Sequence, residues 1–205
     1  MTTTMTTAIK TASPNDEDRV VSTMVRAFQA DPAVRWLYPN AQQYATHFPE
    51  FVRAFGGKAF VYDSAHVVDG FAGAALWLPP GVEPDQDELG SLMERTAPPA
   101  IRDEVLSVFE QMGRYHPGEP HWYLPLIGVD DQYQGQGFGS ALLRHALAEC
   151  DSDRLPAYLE SSNPRNISLY QRHGFQLIGT IQAGLSPKIY PMVRPPLPAV
   201  RLSDN

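Results

Sequence analysis

Cysteine is almost absent: Cys150 is the only one among 205 residues. No internal disulfide can form within the chain, and a thiolate metal cluster is excluded. No apolar run approaches the length that spans a bilayer. The opening stretch, Met1–Ala8, is threonine-rich without a basic or an apolar segment, so it does not read as a secretory signal. Positive charge is in deficit, with 16 Lys and Arg against 23 Asp and Glu and a net charge of −7. A surface of that sign repels phosphate backbones and disfavours nucleic acid as a partner, while it attracts cations, amines among them. His47, His66, His116, His145 and His173 are scattered, with no His-x-His or His-Glu-x-x-His spacing, so no metal is expected. These absences predict a cytoplasmic protein without a membrane or nucleic-acid partner.

What is present suits one domain over residues 1–205, because 43% hydrophobic residues can fill a core. Ala8–Thr11 reads as a short strand, and Ser13-Pro14-Asn15-Asp16 as a helix start. Val20, Val21, Met24, Val25 and Phe28 then mark one helical face, which Asp31-Pro32 breaks. Pro32–Tyr38 and Ala41–Phe55 are predicted helical, with Pro49 kinking or splitting the second. Ala59–Tyr62 has strand composition, and Val67–Leu78 reads as a second strand, ambiguous around Gly70 and Gly73. Two helical stretches, about Asp85–Arg95 and Pro98–Met112, fall in a block at 82–120 that is too short for its own core and is taken as an insertion. A buried strand follows at His121–Val129, then a glycine-rich turn, a helix at Gly137–Glu149, a strand at Leu155–Ser161 and a short helix at Asn163–His173. Phe175–Ile181 and Leu185–Val193 read as closing strands. Pro187 and Pro191 put the last at a sheet edge or make it irregular, and 194–205 is expected to be an extended tail.

The segment Gln134-Gly135-Gln136-Gly137-Phe138-Gly139-Ser140 lies between the buried strand and a helix. Helix starts carry unpaired N–H groups and partial positive charge, and glycines let the backbone approach a bulky anion. Such a turn binds phosphate. The third glycine comes one residue too early for a dinucleotide-binding G-x-G-x-x-G, although Glu160 on the next strand would pass for a ribose-binding acid. The lysine of a Walker loop is missing.

The spacing Gln134, Gly137, Gly139 matches Q/R-x-x-G-x-G/A and resembles the pyrophosphate-binding signature of the GNAT superfamily of N-acetyltransferases. Downstream, Tyr158–Phe175 resembles the second half of that superfamily's core, with Asn163, Tyr170, Gly174 and Phe175 at the motif positions. The run Leu159-Glu160-Ser161-Ser162, with Arg165-Asn166 and Leu169-Tyr170, looks most like the puromycin N-acetyltransferase-like branch. The resemblance covers Trp122–Phe175 clearly and Ile9–Leu78 more loosely. It implies an α/β (α+β) fold in which a mixed, mostly antiparallel sheet is flanked by helices, with the helical insertion before the CoA-binding strand.

The resemblance also implies roles. Ile127, Gly128 and Val129 would pair with the pantetheine arm of acetyl-CoA, and the backbone of Gly135, Gln136, Gly137, Phe138, Gly139 and Ser140, entered through Gln134, would hold its pyrophosphate. Asn163 would contact the cofactor, with helix capping as its other reading. An N–H near Leu126 would polarise the thioester carbonyl, and Pro125, which has no N–H, would help splay the strand. Tyr170 would be the general acid; outside the motif it reads as a core aromatic packed with Ile167 and Phe175. Glu160 is the first candidate for the base and His121 the alternative, and a solvated strand-end side chain is the other reading of each. Trp36, Tyr38, Phe48, Phe51 and Phe55, together with the insertion, would wall the acceptor pocket. The expected activity is transfer of acetyl from acetyl-CoA to a primary amine of a small molecule, an aminated antibiotic or a metabolite. A protein or peptide acceptor, or an idle acyl-CoA sensor, stand as alternatives. A homodimer through the C-terminal strands is a further possibility.

Overall fold

The computed structural model describes residues 8–196. A seven-stranded sheet runs in the order β1 (Ile9–Thr11), β2 (Ala65–Val68), β3 (Gly73–Leu78), β4 (Trp122–Val129), β5 (Ala157–Ser161), β7 (Tyr190–Arg194), β6 (Gln176–Leu177). Every neighbouring pair is antiparallel except β4 and β5, which the crossover helix α6 (Phe138–Asp153) connects in parallel. Among the described residues no helix is long and apolar enough to cross a membrane.

Both faces of the sheet are covered, which is why β3 (Gly-Ala-Ala-Leu-Trp-Leu) is buried along its whole length. Its Ala74, Leu76 and Leu78 face one core and Ala75 and Trp77 the other, as the two-residue period of a strand requires. The first core is closed by α1 (Glu17–Ala27), α3 (Ala41–Gly56) and α4 (Gln86–Thr96), which insert Met24, Phe48, Val52 and Leu92. The second is closed by α6 and α7 (Ile167–Arg172), with Leu142, Leu143, Leu147 and Tyr170. Helix starts are capped as their sequences allow. Asp31 accepts from the amides of Ala33 and Val34 to begin α2 (Pro32–Leu37), and Asn40 accepts from Gln42 and Gln43 to begin α3. Between β3 and β4 lie α4 and α5 (Arg102–Tyr115).

Several expectations need correction. Ala59–Tyr62 is not a strand: Gly57–Phe60 forms a 3₁₀ turn, with the Val61 amide donating to the Lys58 carbonyl at 2.9 Å. The cause is tertiary. A Cβ on Gly56 would lie 2.7 Å from Leu76 Cδ1, so the end of α3 presses on β3 and the chain turns back at once to begin β2. Val67–Leu78 is a hairpin of two strands, reversed where Gly70 (φ 78°) and Phe71 (φ 62°) are left-handed. Pro49 does not split α3, whose buried Phe48, Val52 and Phe55 hold it to the sheet on both sides of the missing N–H. The closing strands are shorter than their apolar runs: β6 is two residues, and an isolated bridge joins Ile181 to Ile189. β7 is internal, between β5 and β6. Pro191 is tolerated there because its carbonyl, which accepts from Ile178, faces the side where β6 has already ended, so its missing N–H costs the β5 ladder nothing. Arg194 belongs to β7, where it pairs with both oxygens of Asp151 at 2.7 and 2.9 Å. The tail beyond 196 lies outside the described residues.

Candidate active site

The site begins at a defect in β4. Leu126 pairs with Leu76 but Tyr123 pairs with Leu78, so β4 spends three residues where β3 spends two. The extra residue is a bulge at Leu124-Pro125. On its other edge β4 is paired with β5 from Trp122↔Ala157 only as far as Leu124↔Leu159. Beyond Pro125 the two strands part, leaving a gap in the sheet between Leu126–Val129 and Glu160–Ser161.

On one side the gap opens into a cleft of about 550 Å³ that extends to the start of α6. Gly135 (φ 76°) and Gly137 (φ 83°) make the turn in a conformation that side-chain-bearing residues resist. The first helical bond of α6 runs from the Ala141 amide to the Gly137 carbonyl, so the amides of Phe138, Gly139 and Ser140 precede the ladder. The turn is anchored from outside. Gln134 donates to the Val129 carbonyl at 3.2 Å, and Asp130 accepts from Gln132 and from the Arg26 guanidinium. Burial pushes the Asp130 carboxyl up, but Arg26 and the Gln132 amide outweigh it and hold the group below its ordinary value. The Ser140 hydroxyl is engaged by His173 at 2.7 Å and Arg144 at 2.9 Å, which leaves its amide to face an anion.

Of the residues named from sequence, Ile127, Gly128, Val129, Gln134, Gly135, Gly137, Phe138, Gly139, Ser140, Asn163 and Tyr170 line this cleft, and Gln136 is exposed beside it. Gly128 also has a packing reason, since a Cβ there would lie 2.6 Å from Ala27 Cβ. Asn163 caps the turn before α7 by accepting from the Arg165 amide at 3.1 Å. Tyr170 is buried edge-on against Phe175, and its phenol is held above the ordinary value by burial and then by the charge of Asp31.

Asp31 is the residue that sequence reasoning passed over as a helix breaker. Its carboxylate accepts from Ala33, Val34 and, at 2.6 Å, from the Ser162 hydroxyl, so it ties α2 to the end of β5 beside Tyr170. Burial raises its carboxyl despite those three bonds. Asp-Pro at a helix start is readable as a cap; a partner 131 residues away is not.

On the other side of the gap lies a chamber of about 110 Å³, bordered like the cleft by Phe28. Its walls are apolar, from α2, α3 and α5, and Glu160 is its only ionisable side chain. That side chain is 3% exposed. Tyr123, another residue the sequence did not single out, donates to its Oε2 at 2.8 Å. The Tyr123 phenol is pushed far above its ordinary value by burial and then by the Glu160 charge. Oε1 accepts no hydrogen bond; His116 Nε2 stands 3.3 Å away, near enough to pair when protonated but poorly aligned. His121 is elsewhere, in a separate cavity of about 480 Å³ behind Tyr123, where its ring lies 5.5 Å from that of His116. Burial lowers its pKa. The structure therefore brings Glu160 to the gap and leaves His121 apart from it.

Residues 101–175 match the family model described as Acetyltransferase (GNAT) family. An uncharacterised N-acetyltransferase of Schizosaccharomyces pombe is 27% identical over 196 residues, covering 82% of this chain and 74% of that protein. A Corynebacterium glutamicum structure described as histone acetyltransferase HPA2 and related acetyltransferase superposes with TM-score 0.67 at 27% identity, covering 96% of this chain and all of that one. A Drosophila melanogaster polyamine N-acetyltransferase shares the fold with TM-score 0.62 at 14% identity, covering 93% of this chain and all of that one. Together with the sheet described above, these matches place a GNAT acetyltransferase signature at residues 101–175 on the GNAT fold, and they support acyltransferase activity. Enzymes of that type use acetyl-CoA as co-substrate.

Proposed function

We propose that this protein transfers the acetyl group of acetyl-CoA to the primary amine of a small molecule by direct attack within a ternary complex. The observation that carries the reading is the gap between β4 and β5. It joins a cleft ending in a glycine turn at a helix start to an apolar-walled chamber holding one buried carboxylate. The cleft suits CoA: the amides of Phe138 to Ser140 for the pyrophosphate, and the open edge of Ile127–Val129 for the amide-bearing arm. The thioester would then lie at the gap, with the Ile127 amide, which the β3–β4 register turns toward the gap, as oxyanion donor.

The amine lone pair attacks the thioester carbonyl carbon, the N–C bond forms, and the C–S bond breaks with the electron pair leaving on sulfur. Glu160 takes the proton from nitrogen, and Tyr170 supplies one to the departing thiolate, whose conjugate acid has a pKa of about 8.5. Asn163 and Asp31 fix the segment between β5 and α7, the helix that carries Tyr170. Residues 82–120 are read as an insertion within a single domain over 1–205, because its α5 supplies Val105, Val108, Phe109 and Met112 to the chamber wall. A chamber of about 110 Å³ with apolar walls favours a small molecule over a peptide. The Leu159–Ser162 run supports placement in the puromycin N-acetyltransferase-like branch.

The test is thiol release from acetyl-CoA with and without amines, beside a direct binding measurement of CoA. Amine-dependent release is the expected result. CoA binding without release for any amine would leave a sensor, and absence of binding would remove the donor assignment.

A further inference from the structure

We infer that the acceptor is a compact, singly charged amine with an apolar body, and not a polyamine, an amino sugar or a peptide. This rests on the transferase reading above and names the substrate class of the same chamber. Phe28, Trp36, Phe48, Phe51, Phe55 and Phe109 supply aromatic wall, and Glu160 is the one group there able to neutralise a cation. The other polar side chain, Ser162, has already committed its hydroxyl hydrogen to Asp31.

The carboxylate is built as half of a pair. Tyr123 donates to Oε2 at 2.8 Å, and His116 Nε2 stands 3.3 Å from Oε1 without an aligned hydrogen bond. The carboxylate's charge is only partly offset by these neighbours, and an ammonium in the chamber supplies a full counter-charge to the one anionic side chain there. A second cationic centre, a set of hydroxyls or a peptide main chain entering the same chamber would bury polar groups with nothing to receive them. Volume points the same way: about 110 Å³ is of the order of the cavity that takes a single aromatic ring.

The experiment compares kcat/KM for thiol release, at saturating acetyl-CoA, with 2-phenylethylamine and 3-methylbutylamine against putrescine, spermidine, agmatine, an aminoglycoside and an alanine tripeptide. The apolar monoamines are expected to lead by about 10- to 100-fold. Equal or better turnover of the polycations, sugar or peptide would overturn the class while leaving the transferase standing; no release with any amine would overturn both. A binding arm isolates the charge pairing. In Glu160→Gln, affinity for 2-phenylethylamine should fall at least about tenfold while affinity for neutral 2-phenylethanol is kept. An equal fall for both compounds would mean that Glu160 shapes the chamber without pairing the ammonium, and would overturn the pairing.

Discussion

Tyr170 sits where the cleft meets the core, buried against Phe175 and within the field of Asp31. Both influences hold the phenol above its ordinary value, so at neutral pH it can donate but does not act as a base. Tyr170→Phe is expected to lower kcat by about 10²- to 10⁴-fold with little change in the KM for acetyl-CoA, measured by thiol release. A fall of less than about threefold would remove its role as acid. Burial also decides the chemistry of Cys150, which α6 places fully inside the second core and whose thiol is pushed up to about 12. It should not react with a disulfide reagent at pH 8 in the native protein and should react fully after unfolding. A fast native reaction would show that α6 opens locally.

The strand β2 carries a buried histidine that the site does not use. His66 faces His145 of α6 ring to ring at 4.7 Å, and neither of its nitrogens has a hydrogen-bond partner. Burial, then the charge of His145, lowers its pKa from 6.5 to about 4. The unfolded chain protonates this side chain below pH 6.5, whereas the folded chain resists until about pH 4. Stability is therefore lost as the pH falls through that window, by roughly 3 kcal/mol if the whole shift is realised. His66→Leu should be no less stable at pH 7 and should show a flatter decline between pH 7 and 5 in denaturant titrations. Parallel declines for the two proteins would mean that other groups carry the acid sensitivity.

The molecule as a whole is acidic, with a net charge of −7, yet Arg26, Arg165 and Arg172 line the cleft assigned to CoA. Global charge opposes an anionic ligand over long range, while these side chains act at contact distance. With the local term dominant, CoA affinity should fall as salt is raised. Arg165→Gln should weaken binding about two- to fivefold and reduce the salt dependence, both readable by calorimetry. Affinity that rises with salt would mean that net repulsion governs binding.

Much of the fold is legible in local patterns. The faces of α1, α3 and α6 follow from helical spacing, the caps from Asp31 and Asn40, and the glycine turn from positions where only glycine adopts φ near 80° without strain. Because these are properties of neighbouring residues, the glycine turn that begins α6 and the family resemblance could be read from the chain alone. The rest depends on residues far apart in sequence. Ala59–Tyr62 turns where its composition favours a strand because α3 presses on Leu76, and Pro191 enters an interior strand because β6 stops short. The chamber exists only where α2, α3, α5 and the parted ends of β4 and β5 converge. The partners Tyr123 of Glu160 and Ser162 of Asp31 lie 37 and 131 residues away from them. The sequence by itself determined the elements and the donor signature, since both are local; the tertiary structure alone decided what surrounds the acceptor, since burial and charge pairing depend on which distant side chains share one cavity.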